Sequence, residues 1–131
     1  MSEYFEKVKV FLVDMGYAIS QENAEEELVI VNDEESGIKN LIVDCEDPIL
    51  ILEQLIMKVP GKSGDLFRRL LQMNRTLVHG AFVLDEEGKM VLFRDTLRLE
   101  NLDQNELEGS IKALGLALAE NAEELLSFSK K

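Results

Sequence analysis

Apolar residues open the chain at helical spacing. Tyr4, Phe5, Val8, Phe11, Leu12 and Met15 recur at i, i+3, i+4 and i+7, which gathers them on one stripe and predicts a helix over residues 3–15. Ser2 suits its N-cap, Glu3 and Glu6 suit its positive end, and Gly16 suits its stop. From Ala18 to Val59 the period changes. Leu28-Val29-Ile30-Val31 is short and β-branched, Asp33-Glu34-Glu35-Ser36-Gly37 is a turn signal, and Ile38 to Cys45 is a second apolar run. Asp47-Pro48 breaks it and Ile49 to Val59 is a third run, with a shorter pairing expected at Ile19 to Glu22. Nothing between these runs is long enough for a crossover helix, so antiparallel pairing follows.

A second helix is predicted over residues 64–76. Leu66, Phe67, Leu70, Leu71, Met73, Asn74 and Leu77 form its stripe, with Ser63 as cap. Two strands follow, Gly80 to Leu84 and Lys89 to Leu99, joined by Asp85-Glu86-Glu87-Gly88. Asp103 and Glu106 then form a capping box, Leu102 and Leu107 a hydrophobic staple, and Leu107, Ile111, Leu114, Leu118, Ala122 and Leu125 carry the last helix. The order α-β-β-β-α-β-β-α predicts one α+β domain over residues 1–131, three helices with a mostly antiparallel five-stranded sheet.

The segment from Ile49 to Met57 departs from the usual strand pattern. Alternate residues of a strand point to opposite faces. One face carries Ile49, Ile51, Leu55 and Met57, and the other Leu50, Leu52 and Ile56. A sheet with one solvated face alternates apolar with polar, and this strand does not. Both faces need cover, either from the chain's own helices or, on one face, from a second copy or a client. Each Leu or Ile moved out of water is worth about 1.5–3 kcal/mol, so three or four left bare mark an interaction site.

Charge sharpens this picture. The chain has 131 residues, 14 Lys plus Arg and 26 Asp plus Glu, for a net charge of −12. Residues 1–66 hold 15 acids and 5 bases (−10), and residues 67–131 hold 11 and 9 (−2). The acid lies mainly in Glu25-Glu26-Glu27, Asp33-Glu34-Glu35 and Asp44 to Asp47. The half with the two-sided strand is thus the acidic half. Such a balance argues against nucleic acid or an anionic membrane as partner, and it favours basic partners. The acidic start, MSEYFEK, is unlike a signal peptide, and the single cysteine, Cys45, cannot form an internal disulfide. A cytoplasmic setting is expected.

Candidate chemistry is sparse. Cys45 and the only histidine, His79, are the one conceivable nucleophile–base pair. Asp44 and Glu46 beside Cys45 disfavour the thiolate, so a buried, inert Cys45 is expected. Asp44, Glu46, Asp47 and Glu53 are oxygen ligands of the type hard cations take, but no calcium-loop spacing is present. Gly61-Lys62-Ser63-Gly64 lacks the phosphate-loop frame. No catalytic residue, cofactor or metal is expected, and the chain is not expected to be an enzyme.

Three segments carry a family resemblance. They are Ile42-Val43-Asp44-Cys45-Glu46-Asp47-Pro48-Ile49-Leu50-Ile51-Leu52-Glu53-Gln54, then Leu70-Leu71-Gln72-Met73-Asn74 with Leu77-Val78-His79-Gly80-Ala81-Phe82-Val83-Leu84-Asp85, and Leu97-Arg98-Leu99-Glu100-Asn101-Leu102-Asp103. Together the chain resembles the YbjN-type proteins, which are similar in fold to type III secretion chaperones such as the Tir chaperone. The resemblance implies a bacterial, homodimeric α+β protein that binds other polypeptides without hydrolysing ATP. It implies a dimer region at Leu66, Leu70, Met73 and Leu77. It also implies client contacts on the sheet, at Leu50, Leu52 and Ile56. It does not carry a secretion role with it. The function expected is a chaperone-like module that holds an apolar client segment; the alternative is a regulatory or scaffold protein that binds one folded partner.

Overall fold

The computed structural model describes residues 2–130. Helix α1 (Glu3–Asp14) leads into strands β1 (Ala18–Asn23), β2 (Leu28–Asp33), β3 (Ile38–Glu46) and β4 (Ile49–Lys58). Helix α2 (Leu66–Asn74), strands β5 (Ala81–Leu84) and β6 (Met90–Arg98), and helix α3 (Gln104–Ser129) complete the chain. All strands lie in one antiparallel sheet of order β1-β2-β3-β4-β6-β5.

The sheet has six strands where five are expected. The short pairing at Ile19 to Glu22 is a full edge strand, although it carries few apolar residues. Polar side chains tie it down instead: the Ser20 hydroxyl donates to the Ile30 carbonyl at 3.1 Å, and the Asn32 amide donates to Ser20 Oγ at 3.0 Å. The register shifts between Ile19 and Gln21, so this edge is kinked and polar. The opposite edge, β5, is four residues long and reads Ala-Phe-Val-Leu.

Local signals explain the helix starts. Ser2 Oγ accepts from the Phe5 amide at 3.2 Å, and Asp103 accepts from the Glu106 amide at 2.8 Å. Glu27 in turn accepts from the Ser2 amide at 3.0 Å and from its hydroxyl. For α2 the cap position falls on Asp65, with no side-chain cap bond, and Ser63 contributes its carbonyl to the Leu66 amide at 2.8 Å. Gly80 sits at φ +73°, where a Cβ would meet the Phe93 ring at 2.5 Å, so this entrance to β5 requires glycine.

Residue parity shows how the layers stack. Val29, Val43 and Leu52 stand side by side across β2, β3 and β4, as do Cys45 with Leu50 and Phe82 with Phe93. All are buried. They form one core with Phe5, Val8 and Leu12 of α1, Leu66, Leu70 and Met73 of α2, and Leu107, Ile111 and Leu114 of α3. Asp95 on this side donates nothing but accepts from Ser110 of α3 at 2.6 Å. The three helices therefore cover the same face of the sheet. Arg69 of α2 joins Glu124 of α3, with Nη2 to Oε1 at 2.8 Å. Gln54 is, with Ser110, one of two buried polar residues among those described; it accepts from the Lys39 amide at 3.0 Å and donates to the Gly37 carbonyl at 3.2 Å.

Candidate protein-binding site

The other face of the sheet has no helix over it. Its side chains follow from the register. Leu28, Asp44, Ile51 and Thr96 form one row, and Ile30, Ile42, Glu53 and Arg94 the next. Leu55, Leu92 and Val83 form a third. Ile42 is 38% exposed and Leu55 58%. A shallow trough of about 650 Å³ runs here, lined by Ile30, Ile42, Leu55 and Leu92 with Glu53, Lys39 and Asn40, and by no helical residue. Glu53 is neutralised in place, since Arg94 Nη1 donates to it at 2.7 Å.

Asp44 is not neutralised. Its Oδ1 is out of contact with solvent and accepts no hydrogen bond. Desolvation, then the charge of Glu46 and a side-chain hydrogen bond shared with it, then the charges of Glu26 and Glu53, push its pKa from 3.8 to about 6. Next to it, burial and then Glu27, Asp44 and Glu46 push the Cys45 thiol up to about 12. Cys45 is a core residue and His79 an exposed one, so they form no nucleophile–base pair. Among the described residues no three His, Cys, Asp or Glu side chains are arranged to hold a metal ion.

A second apolar surface lies on the outer side of α2 and the β5 edge. Phe67 and Leu71 stand one turn apart, 41% and 72% exposed. With Leu84 they rim a groove of about 270 Å³ floored by Leu70 and Phe82. Val78, just beyond the helix, is 87% exposed.

The residues carried over from the family resemblance stand beside these surfaces. Leu66, Leu70 and Met73 face inward in the protomer, and Leu77 is half-buried against the core. Leu50 and Leu52 lie under the helices, whereas Ile56 is half-buried and borders the trough. Their neighbours Phe67 and Leu71 on α2, and Ile42 and Leu55 on the sheet, are the exposed ones. The signal for α2 was its width: apolar residues at 66, 67, 70, 71 and 73 cover more of a nine-residue helix than one buried stripe needs.

The entire chain, residues 1–131, matches the sequence model of the CesT_Tir_1 family. It belongs to that family. Solved structures agree in fold. YbjN from E. coli superposes with a TM-score of 0.72 at 12% identity, over 92% of each chain. The Yersinia pestis type III secretion chaperone SycH, solved with a stable fragment of YscM2, gives 0.60 at 13%, over 96% of this chain and 99% of that one. SchA, from the HopA1–SchA chaperone–effector complex, gives 0.61 at 14%, over 98% and 94%. No curated protein matches the sequence. At these identities the likeness to the solved structures is one of fold: three helices on an antiparallel sheet, the architecture of the type III secretion chaperones. No helix among the described residues is long and apolar enough to cross a membrane.

Proposed function

We propose that this chain is a non-enzymatic, chaperone-like protein-binding module, that it pairs with a second copy through the outer side of α2 and β5, and that it holds an apolar client segment on the uncovered sheet face. The observation that carries the reading is the one-sided cover of the sheet. Ile30, Ile42, Leu55 and Leu92 line an open trough while every helix is spent on the opposite face. SycH and SchA, which share the fold, were each solved with another protein bound.

Magnitudes favour a pair of protomers. Four partly exposed aliphatic side chains contribute about 1 kcal/mol each when covered, or about 4 kcal/mol together. Such a contact alone corresponds to a dissociation constant of about 1 mM. Two identical faces engaging one long segment make the second contact intramolecular, which raises affinity by orders of magnitude with no new chemistry.

The test uses a fluorescein-labelled unfolded polypeptide, such as reduced, carboxymethylated α-lactalbumin, followed by anisotropy. The native protein is expected to bind it and Leu55→Asp, at an exposed position, to lose binding while keeping its circular dichroism spectrum. Failure of the native protein to bind any unfolded chain, with one folded partner bound instead, would favour a scaffold of the same fold.

A further inference from the structure

We infer that the client segment on the uncovered sheet face carries a lysine or arginine set among apolar residues, and that this cation seats on Asp44. The inference rests on the docking reading above and deepens it by naming the chemistry of the occupant. Asp44 stands near the turn end of β3 on the open face, with Leu28 and Ile51 beside it across the strands. Its Oδ1 accepts nothing, and a desolvated carboxylate oxygen with no donor is a group that gains when a cation arrives. The cations that the face carries leave Asp44 unpaired. Arg94 is engaged by Glu53, Arg98 stands across from Ile49 in the neighbouring row, Lys39 lines the trough, and no ion pair among the described residues joins any of them to Asp44, Glu46 or Glu26.

The surroundings select a long cationic side chain over a bare charge. An incoming lysine lays its aliphatic stem across Ile51 and Leu28 and brings its ammonium to Asp44, while the alternate residues of the same extended segment meet Ile42 and the trough. Glu46 and Glu26 repel an acid at that position, as they already oppose ionisation of Asp44 itself. Apolar side chains confer the contact area, and Asp44 sets the register and excludes acidic segments.

The experiment is a nuclear magnetic resonance titration of the full-length, isotope-labelled protein with three nine-residue peptides. Serines alternate with Leu, Lys, Leu and Leu in the first, and Gln or Glu replaces the Lys in the second and third. The Lys peptide is expected to bind about tenfold more tightly than the Gln peptide at pH 7.5, shifting the signals of Ile42, Asp44 and Ile51, with the Glu peptide weakest. The preference disappears in Asp44→Asn, and in the native protein at pH 5, where Asp44 is protonated. Equal binding of all three peptides overturns the inference and leaves the docking reading standing. Binding of none overturns both. Light scattering of Asp44→Asn and Arg98→Ser covers the remaining occupant: if both variants lose self-association, the cation comes from a second copy and the inference is overturned.

Discussion

Aspartate at position 71 and aspartate at position 70 should give opposite phenotypes, although the two leucines are neighbours on one helix. Leu71 is 72% exposed and Leu70 4%. In the protomer, Leu71→Asp removes little packing, and surface changes of this kind stay within about 0.5 kcal/mol. Covering Leu71 across a two-fold interface is worth about 1–2 kcal/mol per copy, and the two-fold doubles it to about 2–4 kcal/mol. Losing that alone weakens self-association about 30- to 1000-fold, before the cost of desolvating two carboxylates. Leu70→Asp instead places a charge in the core, at a cost comparable to the entire stability of a small domain. Light scattering over a concentration series reads the assembly, and thermal unfolding by circular dichroism reads the fold. Leu71→Asp should give a monomer with a nearly unchanged melting temperature, and Leu70→Asp an unfolded chain. A Leu71→Asp protein that still associates like the native one, or a folded Leu70→Asp monomer, would refute the assignment of the two sides of α2.

Two further outcomes follow from the titrating groups. The folded-state pKa of Asp44 is raised from 3.8 to about 6, so the native state holds its proton more tightly than the unfolded chain, and stability is lost as pH rises from about 4 to about 6. With allowance for solvent screening the loss is about 1 kcal/mol, and Asp44→Asn should recover it at pH 7.5 and gain nothing at pH 4 in urea denaturation; an equal gain at both pH values would show that ionisation is not the cause. Cys45, its thiol pushed up to about 12, should react with iodoacetamide about a thousandfold more slowly in the native state than in urea at pH 8, as followed by mass spectrometry, and equal rates would contradict its burial.

The element order was legible because each amphipathic run has one dominant period. Strand β1 was harder to read because an edge strand held by Ser20 and Asn32 has little apolar signature. The two faces of β4 were separable in sequence as far as Leu55. There the pairing with β6 shifts between Leu55 and Met57, which returns Met57 to the buried side that Leu50 and Leu52 occupy. A bulge of this kind has no local marker in an unbroken apolar run. Which face the helices cover depends on how three separate segments fold back, so strand alternation alone did not distinguish buried Leu50 and Leu52 from open Ile42 and Leu55. Of the residues carried over from the resemblance for the dimer region, Leu66, Leu70 and Met73 are buried in the protomer and Leu77 is half-buried. The exposed partners Phe67 and Leu71 lie one position on, and a 100° rotation per residue separates core from surface.

The unlike edges of the sheet set a limit on how copies can join. Head-to-tail addition of β1 onto β5 repeats without end and yields a filament. The kink between Ile19 and Gln21 and the polar run Ser20-Gln21-Glu22 make β1 a poor template for that step. Only β5 is left as an apolar edge, and an edge joined to its own copy about a two-fold axis closes after two chains. A protein that keeps one sheet face bare thereby carries its own chain terminator against fibrous growth.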